Sequence, residues 1–307
     1  MKHIPVLLSE TVALLAPERG GTFVDCTVGL GGHAAALLEA GPEIRLIGID
    51  RDRQALRVAA ERLEIYGDRV QLVVGEFAEL KVLLEQDGVR EVDGILADLG
   101  VSSLQLETAA RGFSFRLEGP LDMRMGAGEI TAADVVNQYA EGKLEEIFRA
   151  YGEERHARRI ARAIARSREE KPIQSTLELR DIVARAKRQG SKQHRRRIDP
   201  ATRVFQALRI EVNRELAGLD RLLDQAVRLL RDNGRLVVIS YHSLEDRMVK
   251  NRLRDLARGE IDEITGRPRS ETQVIEVLTR RPIRPGDDEL ALNPRARSAR
   301  LRAARRI

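Results

Sequence analysis

Residues 25–33 read Asp25-Cys26-Thr27-Val28-Gly29-Leu30-Gly31-Gly32-His33, and the segments on either side of them decide the fold. Before this loop Thr22 to Thr27 is a short β-rich run; after it His33 to Ala40 has helical sequence. Glycines suit the turn between them, because a side chain would block the backbone's approach to a bound ligand and the turn needs unusual φ/ψ values. The alternation continues along the chain. Arg45 to Asp50 (RLIGID) precedes helical sequence from Arg53 to Tyr66, and Val70 to Val74 (VQLVV) precedes a helix from Phe77 to about Gln86. Gly94 to Leu99 (GILADL) makes a fourth strand. Nearly continuous apolar strands separated by helices predict a parallel sheet covered on both faces, the doubly wound α/β architecture.

The rhythm then breaks. From about Leu106 to Pro200 there is no convincing buried strand, and the segment is charged and helix-rich. Within it Ile160, Ile164 and the alanines between them form one apolar face, with Arg155, Arg158, Arg159, Arg162 and Arg166 on or near the opposite side. A long helical region then runs to Asp232, broken near Gly218 and stopped by Asn233-Gly234. Arg235 to Ser240 (RLVVIS) resumes the sheet, and Gln273 to Thr279 is a last β-like run. The expected organisation is one α/β domain, residues 1–105 and 206–307, interrupted by a helical insertion over residues 106–205.

Composition narrows the partners. The formal net charge is only +5, yet Arg185 to Arg197 holds seven basic residues without an acid, and Arg295 to Arg306 holds six arginines without one. Two such runs favour a polyanionic partner, since phosphate contacts supply most sequence-independent affinity. With no Trp and 3% aromatics, binding leans on charge and shape rather than on base stacking. No apolar run approaches the roughly 20 residues of a membrane span. Ile4 to Leu8 lacks a signal-peptide layout, and a single cysteine suits a reducing compartment. The expectation is a cytoplasmic protein with no membrane partner.

Several residues carry candidate chemistry. The loop lacks the G-x-G-x-x-G fingerprint, and an acid ahead of a G-x-G turn suits S-adenosylmethionine better than a dinucleotide. Asp50 ends the second strand nineteen residues after Gly31, where an acid accepts the ribose hydroxyls of a nucleoside cofactor; its structural alternative is a helix N-cap. Phe77 follows the third strand, where an adenine ring or simple core packing would occupy it. Asp98 closes the fourth strand at the carboxyl edge where open α/β sheets hold substrates. Cys26 as a nucleophile is rejected in favour of packing. His242, Glu245 and Asp246 have the look of metal ligands, but Ser243 to Asp246 also opens a helix with a capping box, and that role is preferred. No metal is expected. His156 and His194 are read as surface residues.

At this point the residues resemble the bacterial 16S rRNA cytosine-N4 methyltransferases, the MraW-type family, over nearly the whole chain. The shared blocks include His3 to Leu8, Gly31-Gly32-His33, Asp98 to Ser103 with Gln105, Arg111 to Phe115, Gly119 to Met125 and Tyr151 to Arg155. They continue with Ala201 to Arg203, Phe205 to Ala207, His242 to Arg247 and Asn293 to Ser298. The resemblance implies a Rossmann-like class I fold with a helical insertion that helps bind RNA. It implies methyl transfer from S-adenosylmethionine to N4 of a cytidine in the decoding region of 16S rRNA, in the small ribosomal subunit. Carried over residue by residue, it places Gly31, Gly32, His33, Asp50, Phe77, Asp98 and Gln105 at the cofactor. Asp98 is the first candidate to accept the amine's hydrogen bonds, with Ser102, Ser103 and His242 behind it. Phe113 and Phe115 are candidates to pack against a flipped base, or simply core. The chain departs from the family at Asp199, where His is common, and at Tyr241, where Phe is; neither is expected to touch the cofactor site. A nicotinamide oxidoreductase would share Asp50 and the loop but not the missing glycine spacing. A non-catalytic RNA binder would share the basic runs but not Asp50, Asp98 and the intact loop together.

Overall fold

The computed structural model describes residues 4–188, 199–260, 267 and 269–307. His194 and most of the basic run at 185–197 lie outside the described residues, as does His3. The chain divides into two compact units, one of Met1–Gly100 with Leu216–Ile307 and one of Val101–Glu215.

The first unit is built on seven strands: β1 (Gly21–Asp25), β2 (Ile44–Asp50), β3 (Val70–Val74), β4 (Val92–Asp98), β5 (Leu230–Ser240), β6 (Ile275–Val277) and β7 (Arg300–Arg306). Their order in the sheet is β3-β2-β1-β4-β5-β7-β6. β1 to β5 pair in parallel, and β7 runs antiparallel to both β5 and β6. The apolar runs are continuous because successive side chains feed opposite cores. Val24, Ile47, Ile49, Ile95 and Val238 pack on one face with Leu80, Leu84, Leu222 and Leu253. Phe23, Leu46, Leu96, Val237 and Ile239 pack on the other with Leu37, Leu38, Leu56 and Leu63. At roughly 1.5–3 kcal/mol for each fully buried side chain, both faces are needed to hold the strand ends in place.

The later elements differ from the sequence reading at three points. The helical region breaks at Arg214, which takes φ 48° between helices Thr202–Asn213 and Glu215–Leu229. Gly218 lies inside the second of these, where a β-carbon would come within 3.1 Å of the Phe77 ring; the glycine serves close packing, not a break. That helix stops at Leu229, and Asn233, at φ 65°, lies within the long β5, beside the register shift between Val92 and Gly94. The largest difference is β7. Its Arg-Leu-Arg-Ala-Ala-Arg-Arg sequence reads as a basic surface run, yet Leu301, Arg302, Ala303 and Ala304 are buried. Asp246 resolves the conflict: its Oδ1 accepts from Arg302 Nε at 2.7 Å and its Oδ2 from Arg300 Nη1 at 3.0 Å. Arg305 pairs with Glu276 at 2.6 Å. Four of the six arginines in the C-terminal run, Arg300, Arg302, Arg305 and Arg306, therefore belong to the sheet.

The second unit is helical. Helices Ala132–Gln138, Glu141–Ala150, Ala157–Glu170, Thr176–Arg188 and Thr202–Asn213 enclose a core with Phe148, Ile160, Ile164, Val183 and Leu208. Helix Ala157–Glu170 shows the expected two faces, Ile160 and Ile164 fully buried and Arg158, Arg162 and Arg166 exposed. Lys187, counted in the basic run, is buried against Glu154. Phe113 is buried in this core, and Phe115 meets Phe205 edge-on with ring centroids 5.4 Å apart, so both pack in the helical core. Among the described residues no helix is long and apolar enough to cross a membrane.

Asp246→Ala leaves Arg302, with 7% of its side chain exposed, without its carboxylate, and removing one partner of a buried pair costs about 3 kcal/mol. Urea denaturation should show that loss; a change under about 1 kcal/mol would mean that water replaces the pair.

Candidate active site

The strand order reverses between β1 and β4, and in open α/β sheets ligands bind outside the carboxyl ends of the strands at such a switch point. Three carboxylates end the strands there: Asp25 on β1, Asp50 on β2 and Asp98 on β4. Asp25 is 1% exposed; burial lifts its pKa to about 7, against the opposing pull of His33 and the Thr27 N–H, while Asp98 and Asp50 push it further up. Asp98 is likewise raised to about 7 by burial, with the Tyr241 hydrogen bond pulling it down and Glu245 pushing it up. Asp50 is also raised by burial, opposed by backbone N–H groups of Asp52 and Gly29. Such a cluster favours a cationic ligand, whose charge would offset the repulsion.

The loop fastens these groups to one another. Gly29 N donates to Asp50 Oδ2 at 2.9 Å and Asp52 N to Asp50 Oδ1 at 2.8 Å. Each oxygen retains a further lone pair for a hydroxyl. The helix N-cap is Asp52, whose Oδ1 accepts from Gln54 N, and not Asp50. Gly29 and Gly31 have φ 51° and 75°, which a side chain would strain, and a β-carbon on Gly32 would come within 2.5 Å of Pro5. Thr27 Oγ1 accepts from Asp98 N at 2.6 Å, and Thr27 N donates to Asp25 Oδ1 at 3.1 Å, so one residue ties β1 to β4.

His33 and Asp98 face each other. His33 Nε2 lies 2.9 Å from the Val6 carbonyl, an acceptor, which places the proton on Nε2. Burial lowers the His33 pKa, so Nδ1 carries a lone pair, and it lies 3.7 Å from Asp98 Oδ2. At that separation the two are not directly hydrogen-bonded, and when Asp98 is ionised both atoms can accept from a ligand. The other Asp98 oxygen is occupied: Tyr241 donates its hydroxyl to Oδ1 at 2.8 Å. This overturns the expectation that Tyr241 stays clear of the site. The phenol reaches it because β4 and β5 pair with Asp98 opposite Ile239, two residues before Tyr241, a register that sequence distance conceals.

The remaining candidates have structural partners of their own. His242, not Ser243, is the N-cap of helix Ser243–Arg258: its Nδ1 accepts from Glu245 N at 3.3 Å while Glu245 Oε2 accepts from His242 N at 3.2 Å. Phe77 is half-buried against the apolar cluster of its face. Cys26 is buried, and burial together with Asp25 raises its thiol well above the ordinary range, as a packing cysteine requires. In the second unit Ser102 caps helix Ser103–Glu107, its Oγ accepting from Gln105 N at 3.2 Å and its N donating to Gln105 Oε1 at 3.1 Å; Ser103 opens that helix. The structure thus brings Gly31, Gly32, His33, Asp50 and Asp98 together and adds Asp25, Thr27 and Tyr241. Asp25 and Thr27 were within reach of sequence reasoning, being part of the loop itself.

A profile of the MraW methylase family matches residues 1–307. The chain belongs to that family. It is similar to proteins named ribosomal RNA small subunit methyltransferase H: 49% identical to that of Geotalea uraniireducens, covering 99% of this chain and 98% of the relative. The corresponding figures are 50%, 99% and 91% for Bradyrhizobium diazoefficiens, and 50%, 99% and 99% for Geobacter sulfurreducens.

Two measurements probe these carboxylates in the MraW-family chain. An unfolded Asp titrates near 3.9, so between that pH and about 7 the folded state keeps a proton on Asp25 that the unfolded chain has lost, and stability falls as pH rises. Asp25→Asn should be as stable as the parent near pH 4 and more stable at pH 8, by up to about 4 kcal/mol, in ligand-free denaturation; an equal gap at all pH values would refute the raised pKa. Tyr241→Phe removes a donor that favours ionised Asp98. The acid limb of the pH–activity profile should move upward by about one pH unit, with activity recovering above pH 9; an unmoved limb would make Tyr241 a packing residue only.

Proposed function

We propose that this chain transfers a methyl group from S-adenosylmethionine to the exocyclic N4 of a cytidine in the decoding region of 16S rRNA, acting in the cytoplasm on the small ribosomal subunit. The observation that carries the reading is the 3.7 Å approach of His33 Nδ1 to the buried Asp98 Oδ2 at the switch of the sheet, in a chain of a methylase family. The names of the relatives support the RNA substrate.

The residues fit the cofactor. A sulfonium with an ammonium tail suits three buried carboxylates, and Asp50 retains lone pairs for ribose hydroxyls. Gly31, Gly32 and His33 would shape the pocket for the amino-acid tail, Phe77 would lie against the adenine, and Gln105 completes the set by resemblance. S-adenosylmethionine supplies an electrophilic methyl group and departs as a neutral thioether. Everything else falls to the protein. The N4 lone pair is delocalised into the cytosine ring, so the base must be unpaired or flipped and held with nitrogen about 3 Å from the methyl carbon, in line with the departing sulfur. Asp98, with Oδ1 fixed by Tyr241, would offer Oδ2 to an amine proton and so favour the more tetrahedral nitrogen that forms the new N–C bond; as that bond closes the proton would pass to Asp98 Oδ2, its N–H electron pair staying on nitrogen. Ser102, Ser103 and His242 are secondary candidates for contacts to the base. The helical unit, residues 101–215 by compactness, is the part of the chain we assign to the RNA.

Labelled S-adenosylmethionine should transfer its methyl to small subunits lacking native methylation, and nucleoside analysis should return N4-methylcytidine. Asp98→Ala should lower the rate by about 10²-fold or more, the scale of a lost proton-accepting group, with cofactor titration separating catalysis from binding. Cofactor binding without transfer to subunits or free rRNA would mean that the substrate is wrong.

A further inference from the structure

We infer that the arginine-lined cleft at the start of helix Ala157–Glu170 is a phosphate-binding site that holds the sugar-phosphate backbone of the RNA substrate, an inference that rests on the reading of that substrate as RNA. The cleft has a volume of about 530 Å³ and is lined by Arg155, His156, Arg158, Arg159 and Arg162. From residue 155 to residue 168 the chain has six arginines and no acid.

A solvated charged face would place carboxylates among its cations, three and four residues apart. Here the nearby acids are turned to other work. Glu154 is buried with Lys187. Glu141 reaches Arg162 only at 3.6 Å, with both side chains over 40% exposed, a geometry of little energetic worth. Among the described residues no salt bridge engages Arg155 or Arg158. Arg159 is held in place by donating to the Lys187 carbonyl at 3.3 Å.

Position makes the arrangement more telling. The start of a helix carries positive partial charge and ordinarily attracts acids. This helix has no acid in its first turn and no side-chain cap, while four guanidinium groups crowd the same end. An anion in the cleft would relieve both the mutual repulsion and the dipole conflict. Guanidinium forks match phosphate oxygens in pairs. Four of its five lining residues are arginines and none is Phe, Tyr or Trp, so charge on the sugar-phosphate backbone is the chemistry it answers first. The opposite face of the helix, Ile160 and Ile164, is fully buried, which fixes the charged face on a rigid support.

The test is the salt dependence of binding to a 16S rRNA transcript by the full chain and by the triple variant Arg155→Gln, Arg158→Gln, Arg162→Gln. Loss of two or three phosphate contacts should lower the slope of log K against log salt by about 2. Affinity near 50 mM salt should fall about 10-fold or more, while cofactor affinity and Tm are kept. Unchanged slope and affinity would overturn the site. Inorganic phosphate at matched ionic strength separates the other source: if it raises the Tm of the parent alone while RNA binding is the same in both proteins, the cleft takes free anions and the RNA assignment fails. Because RNA binding is read without turnover, a chain that binds rRNA through these arginines yet transfers no methyl would keep the cleft and overturn the proposed reaction.

Discussion

A carboxylate at the end of a buried strand costs free energy unless donors meet it, and much of the first unit is arranged around that cost at Asp98. The backbone N–H of the residue is spent on Thr27, one oxygen is met by Tyr241, and the other faces a histidine nitrogen that cannot donate. Each partner depends on something more remote. Thr27 is placed by the pairing of β1 with β4, Tyr241 by the register of β5, and the His33 tautomer by the Val6 carbonyl. Burial answers the shortfall by raising the Asp98 pKa to about 7, so the group passes between acid and carboxylate near neutrality, and as the carboxylate its Oδ2 is open to a donor from a ligand.

The strands β1 to β4 were legible because a sheet covered on both faces leaves a plain trace, an unbroken apolar run, and the loop glycines and Asp50 and Asp98 fall at its ends. Legibility failed where a residue type served an uncommon purpose. β7 carries arginines through a sheet, which is possible only because Asp246, more than fifty residues earlier, neutralises two of them. Gly218 reads as a helix break but clears room for a ring, and Asn233-Gly234 reads as a helix stop but lies within a strand. The capping boxes at Ser102 and His242 show the same limit: a polar residue near a site is as readily absorbed by the end of a helix as by a ligand, and spacing alone does not separate the two.

Arginine is used in two opposite ways. On β7 it is buried or paired, and its contribution is structural. On the helix that starts at Ala157 it is exposed and concentrated, with the apolar face of the same helix as its anchor. Counting basic residues along the chain treats these alike; burial and partners distinguish them. Lys187, in a stretch as basic as either, belongs with the first group, buried against Glu154.

β4 and β5 are neighbours in the sheet, yet residues 99–229 lie between them in the chain, and the helical unit occupies most of that interval. During synthesis at roughly 5–20 residues per second, β4 therefore waits on the order of ten seconds with one edge unpaired, a template to which other chains can add. The helical unit is synthesised whole within that interval, including contacts as distant in the chain as Met125 N to Asn213 Oδ1. The order of translation thus places all of the helical unit ahead of the strand that completes β4, and the waiting edge of β4 is where a nascent chain needs protection.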